Sequence, residues 1–150
     1  MDISLLKLQT NSYPPSLKIS HKSPSKGDSV LIYQFSLFQD IPLVTRGVIA
    51  KCVEYKGKCV LYQLDAFCYA GSSGAPLLNS NGELVGIVCE NVIIGRNIQI
   101  PNIAFAISYE VIKEIVRYKD DIDKIKEIVW FNIPSKEIND IFAFQPKSKY

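Results

Sequence analysis

Short β-type segments separated by turn residues occupy the first two-thirds of the chain. They are rich in Val, Ile, Leu and Tyr, and the breaks between them contain Pro, Gly, Asn and Asp, which favour turns. The clearest break is Asn81-Gly82, because both residues tolerate a positive φ. Short strands at this spacing predict an antiparallel barrel or sandwich, so the expected fold class is mainly β. The predicted strands are Ile3–Leu8, Ser29–Phe35, Leu43–Lys51, Cys59–Leu64, Ala75–Leu78, Leu84–Glu90 and Ile103–Ile107.

The hydrophobic pattern changes to a helical period after Ser108. Ser108 suits the N-cap of a helix, and Glu110 suits its first turn because the helix dipole favours a negative charge there. A second helical stretch, "DDIDKIKEIVWF", ends before Pro134. The barrel is therefore expected to be followed by C-terminal helices. The first helix places on one face Val111, Ile112, Ile115 and Val116.

Composition limits the classes of partner. The 150 residues are 47% apolar, which is enough to build the core of a folded domain. The net charge is +2, and the dispersed Lys and Arg residues give no electrostatic reason for a nucleic-acid or anionic-membrane partner. No stretch approaches the roughly 18 apolar residues of a membrane helix. We therefore expect neither a nucleic acid nor a membrane as partner.

The four cysteines do not have the spacing of a metal site. No CxxC or Cys/His pair is present, so a zinc site is not expected. The opening "MDISLLKLQT" is too short and too acidic for a secretory signal, which favours free thiols in a reducing compartment. Cys59, Cys68 and Cys89 lie among apolar residues and are expected to pack in the core.

The segment "YAGSSGAPL" contains the strongest candidate for a chemical site. A catalytic serine needs an exposed Oγ, a base that removes its proton, and donors for the oxyanion that forms. Gly71 can adopt a conformation in which its N–H and that of Ser73 converge, and Gly74 leaves the backbone beside Ser73 uncrowded. A Gly/Ser turn between strands is commoner than a nucleophile, so this pattern alone leaves both interpretations open.

Two motifs taken together resemble the trypsin-like serine proteases. "DISLLKL" places Asp2 directly before an apolar strand, and "GSSGAP" follows it along the chain. "LDAFCYAGSSGAPLLNSNGELVGIV" and "NIAFAISYEVIKEIV" resemble the HtrA-like branch in particular. The resemblance covers residues 2–117 and implies the second antiparallel β-barrel of a trypsin-like double barrel. The implied organisation is a barrel with its closing helix at residues 1–117, and a helical extension with a tail at residues 118–150.

The resemblance also implies the residues of the site. Asp2 is implied to be the acid of the catalytic triad, and Ser73 its nucleophile. The N–H groups of Gly71 and Ser73 are implied to form the oxyanion hole. The strand Ile103–Ile107 is implied to be an edge strand that pairs with an extended substrate backbone. The implied substrate-binding residues of that strand are Ala104, Phe105 and Ala106. This chemistry needs no metal or organic cofactor.

The sequence departs from the family pattern at two places. Ala75 replaces the second glycine of the usual Gly-Gly-Pro. The only histidine, His21, follows Asp2, whereas the family's base precedes the acid, so we interpret His21 as a solvated loop residue. The base is expected in a missing N-terminal barrel, and the chain alone is expected to have little peptidase activity. The expected partners are that barrel, protein or peptide substrates, and further copies in a homo-oligomer.

The end of the chain suggests a narrower family and a compartment. "PKSKY" differs from a peroxisomal Ser-Lys-Leu signal only in its last side chain, Tyr150. Together with the serine loop and the helical "EIVWF", it resembles the peroxisomal leader-peptide-processing proteases. This implies processing of imported proteins in the peroxisomal matrix. The alternatives are another HtrA-like protease, with a cytoplasmic location, and an inactive protease-like domain that binds peptides or acts as a scaffold.

Overall fold

An antiparallel barrel and a set of short C-terminal helices make up the fold. The structure is a computed structural model that describes residues 3–35, 41–94 and 98–142. Its elements are β1 (Ser29–Gln34), β2 (Leu43–Tyr55), β3 (Lys58–Ala66), β4 (Pro76–Leu78), β5 (Leu84–Ile94), β6 (Ile98–Ser108), α1 (Tyr109–Arg117), α2 (Ile122–Glu127), a 3-10 helix (Val129–Asn132) and α3 (Ser135–Phe142). The barrel is closed, in the order β1, β2, β3, β6, β5, β4. The predicted mainly β fold with C-terminal helices is confirmed.

The alternation of side chains along the strands fills the barrel. In β1, Val30, Ile32 and Gln34 are buried and Tyr33 between them is exposed. Gly47 of β2 lies so close to β3 that a Cβ there would collide with the side chain of Ala66, which explains why this position has no side chain. The core inside the barrel also contains Ile49, Tyr62, Leu64, Cys68, Leu77, Val85, Val88, Ala104 and Ala106.

Helix α1 and the residues after it cover the outside of the barrel. The Ser108 Oγ accepts a hydrogen bond from the Val111 N–H at 3.3 Å and donates one to the Cys59 carbonyl at 2.7 Å. The predicted N-cap is therefore confirmed, and it also ties the helix to β3. Among the described residues, no helix is long and apolar enough to cross a membrane. The apolar cluster under the helices contains Val60, Leu61, Ile107, Val111, Ile112, Ile115, Ile128, Trp130 and Ile133.

The first segment of the chain differs from its prediction. Residues 3–18 form no strand or helix, so the predicted strand Ile3–Leu8 is wrong. A strand needs a hydrogen-bonding neighbour, and the barrel closes without this segment. Three of its leucine side chains are left in solvent, with Leu5 56%, Leu6 81% and Leu8 69% exposed, whereas Ile3 is half-buried against the apolar cluster under the helices.

The expectation that all four cysteines are thiols is also wrong. Cys52 and Cys59 form a disulfide between β2 and β3. The hairpin brings their Cα atoms to 5.8 Å, a separation that a disulfide can span. Cys68 is buried in the barrel core as expected, whereas Cys59 and Cys89 are partly buried at its margins.

Candidate active site

The loop that carries Ser73 joins β3 to β4 at one end of the barrel. We call residues 67–75 the serine loop. The strand before it, β3, pairs with β2 and β6, and the strand after it, β4, pairs with β1 and β5. Both ends of the serine loop are therefore fixed by strands that have neighbours on each side.

Ser73 is exposed at the point where β5 extends beyond β4. Its Oγ donates a hydrogen bond to the Cys89 carbonyl at 3.1 Å. The next N–H, that of Gly74, donates to the Val88 carbonyl at 2.7 Å, and the Val88 N–H donates to the Ala75 carbonyl at 2.9 Å. These bonds hold the backbone of Gly74 and Ala75 against Val88, while the Ser73 hydroxyl stays accessible.

The two glycines beside Ser73 adopt conformations that favour glycine. Gly71 has φ +94° and Gly74 has φ +90°. A Cβ on Gly74 would meet no atom within 4 Å, so the backbone conformation, and not space, requires glycine there. Ala75 does not have a positive φ, so its methyl group in place of the usual glycine is tolerated.

The backbone N–H groups from Gly71 to Ala75 fall into two sets. Those of Ser72, Gly74 and Ala75 donate to backbone carbonyls. Within the described residues, those of Gly71 and Ser73 donate to no protein acceptor. Two such donors, one residue apart and beside an exposed hydroxyl, can bind an oxyanion. Their assignment as the oxyanion hole stays a prediction.

A buried polar network lies under the serine loop. Gln34, at the end of β1, is fully buried, and its Nε2 donates to the Thr45 Oγ1 at 2.9 Å and to the Phe67 carbonyl at 3.3 Å. Its Oε1 accepts from the Tyr69 N–H at 3.3 Å and from the Ser72 hydroxyl. The contacts of Gln34 with the serine loop were not predicted from the sequence. Their signal was a polar residue at the third inward position of β1, after Val30 and Ile32.

The described contacts of Ser73 include neither the predicted acid nor a histidine. Asp2 lies outside the described residues, so its role as triad acid stays a prediction. His21 is exposed in the segment before β1, as expected for a solvated loop residue. Among the described hydrogen bonds, none joins His21 to Ser73.

The prediction that Ile103–Ile107 is an edge strand is wrong. Residues Ala104, Phe105 and Ala106 lie in β6, which pairs with β3 on one side and with β5 on the other. Their side chains are at most 1% exposed. Because the barrel is closed, the backbone of this stretch has no free side for a substrate.

Among the described strands, none pairs with residues 90–94 of β5 on the side away from β6. β4 pairs with β5 only as far as Ile87, and the serine loop extends the contact to Val88. The pairing of β5 with β6 passes from Val88 to Glu90, so Cys89 forms a bulge, with its carbonyl bonded to Ser73. The position of such a bulge has no signal in the sequence.

Cys68, the cysteine within the serine loop, has a buried thiol. Burial raises the pKa of the Cys68 thiol to about 11, so this residue stays protonated at neutral pH. Within the part of the chain that the structure describes, no group of three His, Cys, Asp or Glu side chains could hold a metal ion.

Comparison with known families identifies the domain. The family of the trypsin-like peptidase domain matches residues 1–87, a segment that includes the serine loop and β4. The chain belongs to the trypsin-like peptidase domain family. Ser73 lies within the matched residues, and its role as the nucleophile stays a prediction.

Relatives of this trypsin-like domain are HtrA and Do-like proteases. The putative protease Do-like 14 of Arabidopsis thaliana is 26% identical, and the match covers 99% of this chain and 35% of that protein. A serine protease HtrA-like of Staphylococcus haemolyticus is 30% identical over 96% of this chain and 24% of that protein. The chain thus spans only about a quarter to a third of the length of these relatives.

Solved structures share the fold of this trypsin-like domain. An HtrA-type protease variant with a decapeptide has a TM-score of 0.58 and 23% identity, over 69% of this chain and 32% of its own. The serine endoprotease from Yersinia pestis has a TM-score of 0.56 and 26% identity, over 75% and 36%. The resemblance to HtrA-like proteases is supported, whereas the narrower resemblance to peroxisomal processing proteases stays a prediction.

Proposed function

We propose that this chain is the serine-bearing part of an endopeptidase in which Ser73 attacks the carbonyl carbon of a peptide bond. The observation that carries the proposal is the exposed Ser73 hydroxyl on a loop fixed from both sides, beside two N–H donors that bind no acceptor among the described residues. Membership of the trypsin-like family supports the same reaction.

The proposed reaction is acyl transfer in two steps. A base takes the Oγ proton as the oxygen bonds to the carbonyl carbon, and the N–H groups of Gly71 and Ser73 stabilise the resulting oxyanion. The base then protonates the leaving amine as the C–N bond breaks. Water, activated by the same base, hydrolyses the acyl-enzyme ester. The Asp2 carboxylate orients the base and stabilises its protonated form.

The base is proposed to come from a β-barrel that precedes this chain. His21 follows Asp2 and is exposed, and the relatives are three to four times as long as this chain. The exposed Leu5, Leu6 and Leu8 would gain a strand partner from such a barrel. Of these three, Leu5 also lines a cavity of about 800 Å³, together with Ile3, Ile115, Ile122 and Phe131. We call this chain together with the proposed barrel the complete protein.

An extended peptide is the proposed substrate. Residues 90–94 of β5, which pair with β6 and with no described strand on their other side, can pair with a peptide backbone near Ser73. The narrower proposal is that the substrates are leader peptides of proteins imported into the peroxisomal matrix, and that the enzyme acts as a homo-oligomer. The helical segment "EIVWF" and the C-terminal "PKSKY" support the peroxisomal part of this proposal. Residues 143–150 lie outside the described residues.

The location is tested by a fluorescent protein that carries "QPKSKY" at its C-terminus. Punctate signal that overlaps a peroxisomal marker is expected. The matched control ends in Ser-Lys-Leu and should give the same pattern. Diffuse cytosolic signal from the first fusion, with punctate signal from the control, would contradict the peroxisomal proposal and leave the peptidase proposal standing.

The second candidate function is an inactive domain that binds peptides without cleaving them. It is favoured by the exposure of the only histidine, His21. A fluorophosphonate probe, which reacts with activated serines, separates the two functions. We expect the complete protein to be labelled and its Ser73→Ala variant not to be labelled. A folded complete protein that stays unlabelled would support the binding module.

A further inference from the structure

The amide of Gln34 is buried beneath the serine loop with all its hydrogen-bonding groups engaged. Its two N–H donors reach the Thr45 Oγ1 and the Phe67 carbonyl. Its oxygen accepts from the Tyr69 N–H and the Ser72 hydroxyl. A primary amide has two donors and two acceptor sites, so this side chain is saturated although it has no contact with solvent.

The backbone groups around Gln34 fix which way its amide points. The Phe67 carbonyl can only accept, so it must face the NH₂ group. The Tyr69 N–H can only donate, so it must face the amide oxygen. The opposite orientation would place the amide oxygen against the Phe67 carbonyl, two acceptors, and the NH₂ group against the Tyr69 N–H, two donors. A side chain with either half of the amide missing therefore cannot serve both loop groups.

Ser72 connects this amide to the nucleophile. Ser72 is 2% exposed, and its Oγ lies between the Gln34 Oε1, the Tyr69 carbonyl at 2.6 Å and the Tyr69 N–H at 2.9 Å. Its own carbonyl accepts from the Ala75 N–H at 2.9 Å. Ser72, directly before Ser73, is thus held through its side chain and its carbonyl. These contacts also fix the peptide groups on either side of Ser72.

We propose that Gln34 is a positioning residue of the nucleophile. It anchors Phe67, Tyr69 and Ser72 from β1, and so keeps the Ser73 Oγ and the N–H groups of Gly71 and Ser73 in the arrangement that the reaction needs. The inference rests on the proposed function and deepens it. Its partners in the serine loop lie 33 to 38 residues away along the chain, so no local turn preference supplies the same restraint.

The test compares Gln34→Met with Tyr62→Phe in the complete protein. Gln34→Met keeps the length of the side chain but removes the amide. Tyr62→Phe removes another buried polar group of the same barrel, a hydroxyl bonded to Ser23, Glu110 and the Tyr109 N–H on the side of α1. Both variants leave buried groups without partners, but only the first reaches the serine loop.

We expect the two variants to lose similar thermal stability but to differ in the reactivity of Ser73. Gln34→Met should lower the fluorophosphonate labelling rate and kcat by about 10-fold to 100-fold with little change in KM, since small misplacement of reacting groups has effects of this size. Tyr62→Phe should keep the wild-type rate. The inference is overturned if Gln34→Met reacts at the wild-type rate, or if Tyr62→Phe loses as much reactivity for the same loss of stability.

A double-mutant cycle tests the route through Ser72. If Gln34 acts through Ser72, then Gln34→Met combined with Ser72→Ala should be no slower than the slower single variant. Additive losses would overturn this route. Hydrogen exchange separates this inference from the proposed function. If wild-type Ser73 is not labelled, the proposed function fails. The anchoring is then supported by faster amide exchange at residues 69–75 in Gln34→Met and contradicted by unchanged exchange.

Discussion

Two polar turns flank β4, and they are organised in different ways. The turn after β4, residues 79–83, is held by its own first residue. The Asn79 Oδ1 accepts from the N–H groups of Asn81 at 2.9 Å and Glu83 at 3.0 Å, and the Asn79 N–H donates to the Glu83 carbonyl at 2.9 Å. The serine loop before β4 has local bonds too, but its side-chain anchor is Gln34, which comes from another strand.

This difference is the one expected between a connecting turn and a loop that holds the proposed nucleophile. An Asx-type turn uses only neighbouring residues, so it forms wherever the local sequence allows it. The serine loop uses a buried amide that must be satisfied completely, and it leaves the Ser73 hydroxyl at the surface. The serine loop therefore combines a long-range anchor with an exposed serine, whereas the turn after β4 is anchored by its own first residue.

The largest difference between the two turns is expected on removal of their serines. Ser73→Ala should lower peptide hydrolysis by the complete protein about 10⁴-fold to 10⁶-fold, because the nucleophile is lost. Ser80→Ala, in the exposed turn after β4, should leave the rate unchanged. Initial rates on a peptide substrate measure both. Equal rates for wild type and Ser73→Ala would remove the chemical distinction between the turns.

The second difference concerns the glycines of the two turns. Gly74 and Gly82 have φ of +90° and +74°, and a Cβ on either would meet no atom within 4 Å. Alanine should therefore cost each a similar free energy of unfolding, about 1 kcal/mol. Only Gly74→Ala should also lower Ser73 labelling, by about 10-fold, because it shifts the backbone beside the nucleophile. Equal labelling of the two variants would contradict this.

A smaller effect is expected from the anchor of the connecting turn. Asn79→Ala should lower the free energy of unfolding by about 1–2 kcal/mol, since two N–H groups lose their acceptor, and urea unfolding measures this loss. The hydrolysis rate per folded molecule should stay at the wild-type value. A fall in that rate would mean that the two turns are coupled through β4.

No effect is expected at neutral pH from Cys68, whose contribution to stability changes only at alkaline pH. Its usual pKa of 9.0 rises to about 11 in the fold, so the unfolded chain loses this proton first as pH rises. Stability should then fall by at most about 1.4 kcal/mol per pH unit between these values, and it is fully present below pH 9. Urea unfolding of wild type and Cys68→Ala across this range should show a shallower slope for the variant. Parallel slopes would contradict the shift.

Local patterns in the sequence predicted those parts of the fold that neighbouring residues determine. The Asn81-Gly82 turn, the Ser108 cap and the mainly β barrel are confirmed because strand alternation and caps act over a few residues. The exposed glycine-flanked Ser73 belongs to the same class.

Features that depend on distant pairing were not predictable from the sequence. β6 is not an edge strand, because it lies between β3 and β5, and no local signal reports its neighbours. The Cys52–Cys59 disulfide depends on the register of β2 and β3, and the Gln34 anchor joins strands far apart in the chain. Ile3–Leu8 has a strand-like sequence, yet without a partner it forms no strand.

The central claim, that the nucleophile lies in this chain and its base outside it, is tested most directly by one rate comparison. The rate of fluorophosphonate labelling at Ser73 is measured in the complete protein and in residues 1–150 alone, with Ser73→Ala as the blank for each. The account predicts labelling at least about 10⁴-fold faster in the complete protein, because only there is the base present. Equal Ser73-dependent rates in the two proteins would contradict it.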